Sequence, residues 1–139
     1  MNATALLLVA ALLTACASQD EAEEQSTQDM TQAVRDYIEV RDLQEVNRLM
    51  TSANDRWDAL DNLFVLYEGR RETHLIEFSR RCWELDDNTR IVADERRDPS
   101  YIRPRFDTLR GCRIHRIYAL RDDEVAELES IGEAVGSRN

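Results

Sequence analysis

Asn62-Leu63-Phe64-Val65-Leu66-Tyr67-Glu68-Gly69-Arg70-Arg71-Glu72-Thr73-His74-Leu75-Ile76-Glu77-Phe78 is the stretch on which the fold turns. Two runs rich in β-branched, aromatic and long apolar residues, 62–67 and 73–78, flank a charged pentapeptide holding one glycine. Runs of that length and composition around a Gly-containing connection predict an antiparallel hairpin. Downstream, Cys112-Arg113-Ile114-His115-Arg116-Ile117-Tyr118-Ala119-Leu120 reads as another strand, apolar enough to be central. Upstream, Leu43, Val46, Leu49 and Met50 fit a helix face, but Val46–Met50 also fits a half-buried strand, and a strand from about Gln44 is the reading taken.

Helices are expected at both ends. Val34, Tyr37 and Ile38 at i, i+3, i+4 predict a short helix from about Met30 to Glu39. Asp122 or Asp123 can cap a final helix whose apolar face is Val125, Leu128 and Ile131, with Gly132 and Gly136 as stops. Between them, Asp86 to Pro104 is dense in charge and holds both prolines, so it reads as loop with a short element near Arg90-Ile91-Val92. The sum is a single α+β domain over residues 33–136, a small antiparallel sheet with short helices near its N- and C-terminal ends.

Ahead of that domain, Ala5-Leu6-Leu7-Leu8-Val9-Ala10-Ala11-Leu12-Leu13 leads into Leu13-Thr14-Ala15-Cys16-Ala17. Nine apolar residues fall short of the roughly twenty that a spanning helix needs. The segment therefore reads as a lipoprotein signal peptide, residues 1–15, with Cys16 as the lipid attachment site. Several acyl chains on one residue give stable membrane attachment. Ala15-Cys16-Ala17 also satisfies the small-x-small rule of ordinary cleavage, which would release a soluble protein. The n-region carries no Lys or Arg. Residues 16–32 are the lipidated Cys and a polar, acidic stretch with the composition of a disordered tether. Ala17, in place of an Asp, resembles lipoproteins sorted to the outer membrane of Gram-negative envelopes. The expected address is that membrane's inner leaflet, facing the periplasm.

Charge is unevenly spread over the 139 residues. Net charge is −8 over residues 17–61, +3 over 62–121 and −5 over 122–139. An acidic chain is a poor partner for nucleic acid. All 18 basic residues are Arg, as a GC-rich genome would favour, and Arg also outperforms Lys in bidentate recognition of carboxylate or phosphate. With Cys16 given to lipid, Cys82 and Cys112 remain in a compartment that permits disulfides and are expected to pair. A zinc site would need two further ligands, and beyond carboxylates only His74 and His115 are on offer, so no metal and no cofactor is expected.

Ala33–Arg41, Ile76–Leu85 and Arg103–Tyr118 together resemble a family of small proteobacterial envelope proteins of unknown function. The likeness runs from about residue 33 to 135, and Cys82 and Cys112 match its two cysteines. Such a resemblance implies the fold and the address and adds no mechanism. The sequence lacks G-x-S-x-G, H-E-x-x-H and a phosphate-cradling Gly loop, so no catalytic residue is assigned. Asp86-Asp87, Asp94-Glu95 and Asp122-Asp123 leave a carboxylate-pair hydrolase as the alternative. The sharper candidates are Arg103, Arg105, Arg113 and Arg116, with Arg110 among them, where alternation would put Arg103 and Arg105 on one side of an extended segment beside the disulfide. Pairing with the chain's own Asp and Glu is the competing reading. Trp57, Trp83 and Tyr101 could line a groove or simply pack. The expected role is a lipid-anchored binding or accessory module whose partner is an envelope protein or an anionic cell-wall or lipid component.

Overall fold

A computed structural model describes residues 14–52, 55–83 and 101–136. The elements are α1 (Thr14–Arg41), β1 (Leu49–Met50), β2 (Arg56–Ala59), β3 (Phe64–Glu68), β4 (Thr73–Phe78), β5 (Tyr101–Ile102), β6 (Thr108–Leu109), β7 (Cys112–Leu120) and α2 (Asp122–Gly136). Five strands in the order β2-β3-β4-β7-β6 form an antiparallel sheet that curls into a half-barrel, and β1 pairs with β5 in a second, two-stranded sheet. This is a small α+β fold. The hairpin expected from residues 62–78 is β3 and β4, with Phe64 opposite Glu77 and Tyr67 opposite His74. The central strand expected over 112–120 is β7.

Both faces of the sheet are buried, which is why Phe64 to Tyr67 is an unbroken apolar run. On one face Phe64, Leu66, Leu75 and Tyr118 pack under Met30 and Val34 of α1 and Leu128 of α2. On the other, Val65, Tyr67, Ile76, Phe78, Ile114 and Ile117 meet Leu49, Ile102 and Leu109 from the short strands. A bulge supports this arrangement: Arg116 pairs with Glu77 while Ile114 pairs with Phe78, leaving His115 as the extra residue and bringing Ile114 and Ile117 to one face. Cys82 and Cys112 are disulfide-bonded at a Cα–Cα distance of 5.7 Å, within this second core. The bridge ties the start of β7 to the segment that follows β4.

Three short strands lie where no strand was expected: β2 beside β3, β5 beside β1, and β6 beside β7. The turn between β6 and β7 is Arg110-Gly111, both at positive φ (48° and 77°), the conformation that two-residue hairpins favour. Helix α1 is longer than the expected Met30–Glu39 and runs through residues read as a disordered tether. Ala, Glu and Gln are strong helix formers, Thr14–Arg41 holds neither Gly nor Pro, and Gln25 to Asp29 (3.3 Å) and Gln32 to Asp36 (2.7 Å) add i,i+4 bonds. The helix ends in a Schellman motif: Leu43 N–H donates to the Ile38 carbonyl and Asp42 N–H to the Glu39 carbonyl, with Asp42 at φ 49°. Helix α2 begins as expected, but its cap is not an aspartate. Glu124 reaches back to accept from the Arg121 backbone N–H at 2.8 Å, as the third residue of a helix does in a capping box, and Asp122 and Asp123 sit in the first turn. The expected element at Arg90-Ile91-Val92 lies outside the described residues.

The two ends of the sheet are distinct. At one end lie the β3–β4 turn, the end of β7, the start of α2 and the end of α1, joined where Tyr37 and Arg41 hold Glu127. At the other lie Asp61, Asn62 and Cys82, and here Thr31 of α1 donates to Asp61 at 2.6 Å. The part of α1 that precedes Met30 therefore leaves the domain at the end opposite the β3–β4 turn. Among the described residues no helix is long and apolar enough to cross a membrane.

Candidate functional site

A half-open cleft of about 490 Å³ lies between the β1 segment and the β3–β4 turn. Arg48 and Met50 line it from one side, Gly69, Arg70, Arg71 and Glu72 from the other, and His74 enters from β4. Glycine suits position 69, where a Cβ would stand 3.0 Å from the Glu72 carbonyl oxygen and crowd the turn. Asp55 closes one edge, its carboxylate accepting from the Tyr67 hydroxyl and the Ser52 N–H. Burial, reinforced by that acceptor, holds the Tyr67 hydroxyl well above the ordinary phenol range, so it stays protonated.

His74 is 5% exposed. Its Nδ1 is buried without a hydrogen-bond partner among the described residues, and its Nε2 edge faces Glu72 at 3.8 Å from the carboxylate. Burial pushes the imidazole below its usual 6.5 against the opposing pull of Glu72, so the ring is neutral at pH 7. With nothing to receive a proton from Nδ1, the tautomer we assign carries it on Nε2. Arg48, Arg70 and Arg71 form no ion pair or side-chain hydrogen bond among the described residues. The cleft thus offers three uncommitted guanidinium groups, a neutral donor and the exposed Met50 side chain.

The arginines expected to grip an anion are placed otherwise. Residues 103–107 form a closed turn and not an extended segment: Asp107 N–H donates to the Arg103 carbonyl (3.1 Å), and the Asp107 carboxylate accepts from Arg103 N–H (2.8 Å). Pro104 with its fixed φ, and Arg105 at φ 69°, make the bend, so Arg103 and Arg105 do not share one side. The Arg103 guanidinium lies over Tyr101 (5.6 Å) and Phe106 (5.5 Å), with Asp107 at 3.6 Å. Arg105 and Arg116 converge on Glu45, at 3.4 and 4.0 Å. Arg110 stacks on Trp57. Arg113 stands apart, with Ser79, Arg80, Thr108 and Gly111 around a second depression of about 370 Å³. Trp83 is 62% exposed, while Trp57 packs against the core. Of the carboxylate pairs, 86–87 and 94–95 lie outside the described residues, and Asp122-Asp123 opens α2. Cys16 falls in the first turns of α1.

Sequence reasoning missed Arg48, Arg70, Arg71 and His74 as a group. The available signal was a histidine inside an apolar strand next to a turn with two adjacent arginines; the contribution of Arg48 depends on the packing of β1. No curated protein and no solved structure matches the chain. A family profile does match, over residues 1–134, and the chain belongs to that family, DUF6491, whose function is unknown.

Proposed function

We propose that this protein is a lipid-anchored envelope module, attached through Cys16 after loss of residues 1–15, that binds an anionic ligand in the cleft between β1 and the β3–β4 turn. The observation that carries the reading is the set of Arg48, Arg70 and Arg71 around one cleft, without carboxylate partners among the described residues, whereas Arg103, Arg105 and Arg116 are each within 4 Å of one. Uncommitted guanidinium groups in a half-enclosed setting favour bidentate contact with carboxylate or phosphate. The lipoprotein signal and the Gram-negative outer-membrane address are supported by the sequence around Cys16.

A photoreactive residue at position 71 in intact envelopes, with a Cys16→Ala control and mass spectrometry of what is captured, tests the reading. The expected result is capture of a carboxylate- or phosphate-bearing molecule, lost in the control together with acyl labelling. Undiminished labelling of the Cys16→Ala chain, or equal capture from position 105, would overturn it.

A further inference from the structure

Resting on the reading of the cleft as a binding site, we infer that its ligand is an oxyanion joined to an apolar arm, met in the aqueous phase and not in the bilayer that holds the anchor. Three observations lead there. The cleft wall includes Met50, 65% exposed, and next to it Leu49, which is rooted in the core. A site for a bare inorganic ion has no use for such a wall, whereas a ligand with a short aliphatic or aromatic arm would cover Met50 while its charged end meets the arginines.

The second observation is His74. The groups around it are Glu72 on its own side, Tyr67 across on β3 with Asp55 bonded behind it, Arg48 from the β1 segment, Arg70 and Arg71 in the turn, and on β7 the uncharged Ala119. Protonating Nδ1 would create a buried N–H with no acceptor. His74 therefore serves as a neutral Nε2–H donor, and the positive charge that holds the ligand belongs to arginines, which do not titrate. Affinity for a fully ionised carboxylate should then be flat across neutral pH.

The third is direction. Helix α1 leaves the domain beyond Thr31 and Asp61, whereas the cleft sits at the β3–β4 turn, about 20 Å away along the six residues of β4. From Cys16 to Met30 the helix adds about 21 Å of reach at 1.5 Å per residue. An anchor at Cys16 thus presents the cleft away from its own bilayer.

Backbone amide NMR of the full chain with Cys16→Ser, which removes only the acylated thiol, tests this with acetate, hexanoate, inorganic phosphate and hexyl phosphate. Hexanoate or hexyl phosphate should shift resonances at 48–52 and 69–74, and bind roughly tenfold tighter than acetate or phosphate. Which of the two binds better identifies the oxyanion. Met50→Ser should remove most of that preference, Arg71→Gln should weaken binding about tenfold, and Arg80→Gln should change nothing. Both Met50 and Arg71 are exposed, so the variants keep the fold. Hexanoate affinity should vary less than about twofold between pH 6 and 8.5. Equal binding of acetate and hexanoate, or an affinity that falls as pH rises through 6.5, overturns this inference and leaves anion binding standing. No shift with any probe overturns both.

Discussion

At the scale of single residues, His74 shows how burial decides chemistry. The same imidazole on a surface would titrate near 6.5; enclosed on β4 with an unpartnered Nδ1, it is held neutral below that value. The unfolded chain takes up a proton near pH 6.5 and the folded chain does so only at lower pH. The stability contributed by this group is therefore complete above pH 6.5 and lost as pH falls through it. His74→Phe removes the titration while keeping a ring of similar shape. Melting temperatures measured from about pH 7.5 to about 5 should fall more steeply for the wild type than for this variant; parallel curves would show that His74 is not the responsible group. Arg105 and Arg116 make the complementary point. Both are prominent in the sequence, and both spend their charge on Glu45, a residue some 60 positions from Arg105 that no local reading connects to them.

Among the elements, β3, β4, β7 and α2 were legible because their patterns are long and self-contained: two apolar runs about a Gly turn, nine residues of strand, and an acidic start to an apolar helical face. Strands β5 and β6 are two residues each, defined by partners distant in the chain or by the Arg110-Gly111 turn, and carry no period to read, while of the strand expected from about Gln44 only Leu49–Met50 forms β1, with Glu45 bridged singly to Tyr118. The early turns of α1 were missed for a different reason. Their polar composition argues for disorder, while their helix propensity and lack of Gly or Pro argue for a helix, and the second prevails. The disulfide joins the start of β7 to the segment that follows β4, inside the core. In Cys82→Ser the domain should lose about 3–4 kcal/mol, the loop-entropy value for a bridge across 30 positions, as read by denaturant unfolding. An unchanged midpoint would mean that the packing around Cys82 and Cys112 suffices without the bond.

For the molecule as a whole, the fold places a sheet buried on both faces between a helical layer and a layer of short strands. One end receives α1 and the disulfide; the other carries the cleft with Arg48, Arg70, Arg71 and His74. The sequence drew attention to Arg103, Arg105, Arg113 and Arg116, but which guanidinium groups are already paired is settled by long-range packing, which gives Arg103, Arg105 and Arg116 carboxylate neighbours. The most direct test is an arginine Nε–Hε spectrum of the 18 side chains during titration with hexanoate. Shifts confined to Arg48, Arg70 and Arg71 are the predicted result, and shifts confined to Arg103, Arg105, Arg113 and Arg116 would contradict it.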